Sequence, residues 1–325
     1  MSEPRAQSPT DAELIGFVES LSNWGRWGAA DQLGTLNHIT DEHRRRAAAM
    51  VTLGRNVSCA RLIDTDEFPG ESATSPRRMM AGTGQGLADA DRVLPPGVSR
   101  RPRGASASEH WLLHPHGYRM THLDGLSHIF WDGRMYNGRP AELVTAGFGA
   151  TDLDITAPRQ GILTRGVLID GAAQRGVDWM GPGEAFTADE VAAFLRERDL
   201  EVGPGDAVLL RTGYGAKIEQ SGRDTLRTGL PGWHASCLPW LRERDVALIG
   251  CDTANDPFPS GYPGMTHPLH VVGIVGMGLW LVDNCHLEAL AATCRELGRW
   301  EFALAVAPIA LVGGTGSPVN PLALF

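Results

Sequence analysis

From about residue 150 onward the chain alternates short apolar runs with amphipathic helical stretches, and that alternation narrows the available folds more than any other feature. RGVLIDG (165–171) is an apolar run bounded by glycines. TADEVAAFLRERD (187–199) follows with Thr187 and Glu190 spaced as a capping box ahead of an amphipathic helix. VGPGDAVLLRTG (202–213) is a turn and a strand, and CLPWLRERDVALIGCDT (237–253) repeats helix, charged turn and buried strand. EFALAVAPIALVGG (301–314) adds one more long apolar strand. The class expected is α/β, or α+β, with a mixed sheet. No fixed-period repeat is visible, which sets aside solenoids and propellers.

Upstream, residues 11–53 read as two helical stretches around a Gly/Trp-rich connection, the second starting near Thr40. We expect one domain over 1–325, with 1–60 as an N-terminal helical cover. Residues 64–108 are crowded with Gly, Pro, Ser and Arg and read as a long loop, either a lid or a solvated insertion. Lys and Arg total 29 against 38 Asp and Glu, a formal charge of -9, so nothing draws in a phosphate backbone and nucleic acid is not an expected partner. MSEPRAQSPTDAELIG lacks a basic-then-apolar leader and no eighteen apolar residues stand together; neither export nor a membrane span is expected. Five cysteines without a CxxC pair fit isolated thiols in a reducing cytoplasm.

Several catalytic motifs are missing. GTGQG (82–86) and GGTGS (313–317) lack the P-loop lysine, Leu87 breaks the dinucleotide fingerprint, and neither a GxSxG elbow nor HExxH occurs. HWLLH (110–114) has the spacing of a helical metal pair, but Pro115 and Gly117 argue against a helix there. The chemistry concentrates in GYRMTHLDGLSHIFWDGRMYNG (117–138), where His122, Asp124 and His128 fall on even positions and share one face of an extended chain. A histidine and a carboxylate two residues apart on a strand can grip a divalent ion, with a further histidine in reach of a substrate atom. The alternative is a polar, Gly-containing loop whose side chains cap one another. Met135 and the aromatic residues Phe130, Trp131 and Tyr136 are candidates for an apolar substrate pocket, against the plainer option of core packing.

YRMTHLDGLSH (118–128) resembles the HxGTHxDxPxH signature of the cyclase-like metal hydrolases, the family of bacterial kynurenine formamidases, isatin hydrolases and trans-dienelactone hydrolases; Thr121, His122, Asp124 and His128 match residue by residue. DAVLLRTG (206–213), LIGCDT (248–253) and GSPVNPLA (316–323) look like later landmarks of the family, and NWGRWGAADQLGTLN (23–37) looks like a longer-chain branch. The resemblance implies a swivelling β/β/α cyclase-like fold with peripheral helices. It implies His122, Asp124, His270 and Asp283 as metal ligands, with His267 an alternative to His270. Tyr118 stands where the signature has its first histidine, and a neutral phenol with a pKa of about 10 is a poor ligand, so His116 or His114 would have to fill the gap and Tyr118 would face substrate. One zinc or manganese ion is therefore expected rather than two.

Such an ion would polarise a scissile carbonyl and activate water, with His128 as general base. The resemblance thus implies hydrolysis of an amide, lactone or ester bond in a small cyclic or aromatic molecule by a homodimer or homotetramer. Two other functions stay open: a natural-product cyclase or dehydratase in which the metal stabilises an enolate, and a binding protein on the same scaffold.

Overall fold

The computed structural model describes residues 8–65, 75–85, 96, 105–222 and 229–325. The chain forms two compact units, Met1–Leu62 with Pro115–Phe325, and Ile63–His114. Within the larger unit, a nine-stranded mixed sheet is built from β1 (Asn56–Ser58), β2 (His122–Asp124), β3 (Ile162–Asp170), β4 (Ala207–Arg211), β5 (Leu248–Cys251), β6 (Trp280–Asp283), β7 (Glu301–Val306), β8 (Gly316–Pro318) and β9 (Leu322–Leu324). The strand order is β1-β9-β7-β3-β4-β5-β6-β2-β8.

The central run β3-β4-β5-β6 is parallel, and everything outside it pairs antiparallel. Parallel strands are covered on both faces, which is why they read as unbroken apolar runs rather than alternating ones. Val167, Leu168, Ile169, Val208, Leu209, Leu210, Leu248, Ile249, Leu281 and Val282 are all buried. The longer helices among the described residues of the larger unit are α1 (Asp11–Ser20), α2 (Asp41–Ala49), α3 (Ala188–Glu197), α4 (Tyr214–Ser221), α5 (Cys237–Glu243) and α6 (Glu288–Leu297), of which α2, α3 and α6 pack on the sheet. Helix α3 carries the expected capping box: the Glu190 amide donates to the Thr187 hydroxyl, and the Glu190 carboxylate accepts from the Thr187 amide at 2.8 Å. Its Val191, Phe194 and Leu195 turn inward.

The structure corrects the sequence reading at three points. The N-terminal cover is not wholly helical, because Asn56–Ser58 joins the sheet as an edge strand against Leu322–Leu324. The apolar run after Glu301 leaves the sheet at Val306: Pro308 offers no amide to a ladder, and Ile309, Leu311 and Val312 are exposed. In the smaller unit, Arg77–Gly82 and Ser108–Leu112 pair as antiparallel strands, so the stretch read as a loop contains one strand and ends at the start of another, and HWLLH starts in a strand. The rest of the expected lid, 66–74, 86–95 and 97–104, lies outside the described residues. No helix among the described residues is long and apolar enough to cross a membrane.

Candidate metal centre

Strand β2 lies between β6 and β8 and runs antiparallel to both. Its register sets His122 opposite Asp283, and Asp124 opposite Gly316. Side chains two apart on a strand share a face, so His122 and Asp124 point the same way. His128 does not reach that face through an extended chain, contrary to the even-position argument. A turn closes behind β2, with the His128 amide donating to the Gly125 carbonyl at 3.0 Å, and brings the His128 ring to within 4.0 Å of Asp124 Oδ1.

Asp124, fully buried, is the hub. Its Oδ1 lies 2.9 Å from His116 Nδ1 and 3.4 Å from His122 Nε2, while Oδ2 lies 3.3 Å from His270 Nε2. Asp283 Oδ2 closes the far side, 3.4 Å from His270 Nε2 and 3.7 Å from His122 Nε2. His270 enters from a short helical turn, Pro268–His270, whereas His267 is exposed and bonded to its neighbour Thr266. Of the two histidines in THPLH, the inward one is His270.

His116, two residues upstream of Tyr118, lies beside Asp124. Its ring is held by Asp124 on Nδ1 and by the Thr315 hydroxyl, 3.0 Å from Nε2, and it stacks on His128 with centroids 3.5 Å apart and planes 5° from parallel. Tyr118 itself is partly buried, and its carbonyl accepts from the Arg61 guanidinium at 3.0 Å. His114 belongs to the smaller unit. Of the pocket candidates, Phe130 is 47% exposed and Trp131 is packed partly against the core. Tyr136 has no exposed surface, and its hydroxyl donates to Asp31 at 2.9 Å, so it is a core residue and not a pocket wall. Met135 is equally buried.

Among the described residues, two groups of three donors could hold a metal ion, His116–His122–Asp124 and Asp124–His270–Asp283, each with its ligand atoms within 4.8 Å of one another. The donors fit a divalent cation on three grounds. The Met120 carbonyl is 3.0 Å from His122 Nδ1, so that nitrogen donates there and Nε2 is the one turned towards the two carboxylates. A divalent cation among them would be held by one imidazole nitrogen and two carboxylates. Asp124 Oδ2 is also buried without a well-formed hydrogen bond among the described residues. Mixed imidazole and carboxylate donors, finally, suit zinc or manganese.

Partners behind the donors fix their poses. Asp256 Oδ2 lies 2.6 Å from His270 Nδ1, and its carboxylate accepts the amides of Leu269 and His270. Asn255 donates to Asp283 Oδ1 at 2.6 Å. These two residues follow β5 on one loop, and the sequence reading passed over both. Their signal in the sequence is no more than polar residues after a buried strand, which ordinary turns share.

The electrostatics follow from crowding. Burial alone would raise the Asp124 carboxyl, but His128, His116, His270 and His122 together hold it well below the usual range. Burial would lower His270, yet Asp283, Asp124 and Asp256 outweigh it and raise the ring well above its ordinary value. His128 goes the other way: burial, with Asp124 opposing and the other histidines assisting, pushes it down to about 4.

The chain is similar to known proteins over nearly its full length. A crystal structure described as a novel cyclase is 29% identical, with a TM-score of 0.81 over 94% of this chain and 99% of the other. Isatin hydrolase A from Labrenzia aggregata is 18% identical, with a TM-score of 0.55 over 83% of this chain and 93% of its own. Isatin hydrolase A from Ralstonia solanacearum is 19% identical, with a TM-score of 0.55 over 88% of this chain and 97% of its own. At that identity the two isatin hydrolases speak for the fold alone. No curated protein matches the chain. The model of the Cyclase family matches residues 38–255, more than half of the chain and inclusive of the whole 117–138 stretch. The protein belongs to the Cyclase family.

Proposed function

We propose that the protein is a metal-dependent hydrolase that opens an amide, lactone or ester bond in a small cyclic or aromatic molecule. The observation that carries this reading is Asp124, a buried carboxylate shared by two three-donor groups, one oxygen of which lacks a well-formed hydrogen bond among the described residues. A zinc or manganese ion held there would supply Lewis acidity to a carbonyl and to water. The sequence suggested a single ion held by His122, Asp124, His270 and Asp283. With His116 added, there are two three-donor groups that have Asp124 in common, and either would hold an ion.

The chain's own residues do the rest. Asp256 and Asn255 hold His270 and Asp283 in their ligating poses. His128, whose side chain is a quarter exposed, is the most open of the site's four histidines. Burial keeps its ring neutral at physiological pH, so a nitrogen lone pair is available to take the proton of the attacking water and pass it to the departing nitrogen or oxygen. Phe130, which follows two residues later, offers exposed aromatic surface to a flat substrate. Isatin, the cyclic amide in the names of the two hydrolases, belongs to this substrate class.

The test is a turnover panel of aryl formamides, cyclic amides and lactones on the metal-loaded wild type and on His128→Gln. The expected result is hydrolysis of at least one class, lost by a factor of about 10² to 10⁴ in the variant at unchanged metal content. Equal rates for the two proteins would remove His128 from the mechanism.

A further inference from the structure

We propose that Asn284 is a positioning residue that holds His116 in the metal centre; the inference rests on the metal reading above. This chain has Tyr118 where the signature supplies a ligand, so the third donor of the His122 group must arrive from two residues further upstream. His116 thus stands six residues before His122, two more than in the signature, and the connecting backbone is longer by that much. Something must gather that slack, because a ligand at the end of an untethered loop loses its pose to conformational entropy.

Asn284 stands where it can do so. It is 1% exposed and directly follows Asp283 at the end of β6. Its φ of 55° lies in the left-handed region, which asparagine tolerates better than most residues. Its side-chain amide donates to the Gly117 carbonyl at 2.6 Å and lies 3.4 Å from the Met120 carbonyl, so it grips both ends of the extra segment at once. The Met120 carbonyl also faces His122 Nδ1, and Gly117 adjoins His116. The Asn284 carbonyl accepts the Thr121 hydroxyl at 2.7 Å, and its amide donates to the Thr253 carbonyl at 2.8 Å.

Arg61 completes the clamp. Its amide donates to the Thr121 hydroxyl at 2.9 Å, and its guanidinium donates to the Tyr118 carbonyl and lies 3.5 Å from Asn284 Oδ1. Carbonyls on one side and a guanidinium on the other fix which way the Asn284 amide points. A single residue thus ties the ligand Asp283 to the backbone that presents both His116 and His122. The contact to Gly117 is the shorter of the two, so the effect of losing the amide should run chiefly through His116.

The experiment measures zinc affinity of the full chain by competition with a chromogenic chelator, for wild type, Asn284→Gly, His116→Ala and the double variant. Glycine keeps the left-handed backbone and removes only the amide. We expect Asn284→Gly to weaken zinc binding about 10- to 100-fold, the usual effect of losing a partner behind a metal ligand. The double variant should bind within about twofold of His116→Ala alone, because a clamp acting through His116 has nothing left to position. Asn284→Asp, with the same shape and no N–H to donate, checks the result independently of the glycine's flexibility and should show the same loss.

Circular dichroism and thermal unfolding of each metal-free variant separate a lost pose from a lost fold, since the expected variants melt cooperatively. Zinc affinity of Asn284→Gly within about twofold of wild type overturns the inference, as does a double variant that loses as much again beyond His116→Ala. Either result leaves the metal reading intact. A wild type that binds no zinc overturns both.

Discussion

Gly316 sits opposite Asp124 in the register of β8 on β2, and its missing side chain is what lets the His116 ring lie where it does. A Cβ built there falls 2.5 Å from His116 Cε1, 2.9 Å from its Nε2 and 3.0 Å from the Leu123 carbonyl oxygen. Ordinary carbon contacts begin near 3.5 Å, so Gly316→Ala forces the ring back by about 1 Å. The ring has little freedom to give: Asp124 and Thr315 hold its two nitrogens at 2.9 and 3.0 Å, and His128 lies against its face. Overpacking of this kind costs about 1–3 kcal/mol. The metal-free protein can relieve the overlap by swinging the ring out, whereas the metal-loaded protein needs the ring in place. The cost therefore falls largely on binding, as a loss of about one to two orders of magnitude in metal affinity. Chelator competition on wild type and Gly316→Ala measures it, and thermal unfolding of the metal-free forms shows how much strain the ring escapes. Should Gly316→Ala bind metal as wild type does, the ligating role of His116 is wrong.

Two other outcomes follow from the same geometry. Tyr136→Phe removes the hydrogen bond to Asp31 from a wholly buried ring and should cost about 1.5–3 kcal/mol in urea unfolding, with kcat/KM unchanged; a raised KM would put Tyr136 back in the substrate pocket. Arg26 hydrogen-bonds both oxygens of Asp245 at 2.6 and 2.8 Å, and that contact, opposed by burial, lowers the Asp245 carboxyl. A depressed carboxyl contributes stability above its unfolded value and loses it as the pH falls through its folded value. Arg26→Ala should thus lower stability at neutral pH by about 0.5–1 kcal/mol, a figure kept small by the partial exposure of Arg26, and that difference should vanish once acid has protonated Asp245 in both proteins. A difference that persists undiminished in acid would show that the pair acts through packing alone.

The buried central strands of the mixed sheet were legible in the sequence because strands covered on both faces must be apolar throughout, and the α3 capping box because its signal is local. His122 and Asp124 were legible from their spacing and from the family signature. Between His116 and His114 the sequence left the choice open, because the residues that contact the backbone after His116, Asn284 and Arg61, approach from distant parts of the chain. Aromatic density near a candidate site misled at Tyr136, whose burial depends on Asp31 and on the close approach of Gly278, neither of which is local in sequence. The apolar run after Val306 misled for a related reason: hydrophobicity alone does not say whether a segment has a neighbouring strand to pair with, and Pro308 removes an amide where pairing would continue.

The central claim is that Asp124 organises a metal-dependent hydrolytic centre, and the most direct test is elemental mass spectrometry of the wild type and Asp124→Asn after zinc or manganese loading, paired with turnover on the same samples. The account predicts bound metal and hydrolysis in the wild type and the loss of both in the variant. Metal and turnover retained by Asp124→Asn, or a wild type that binds no metal at saturation, would contradict it.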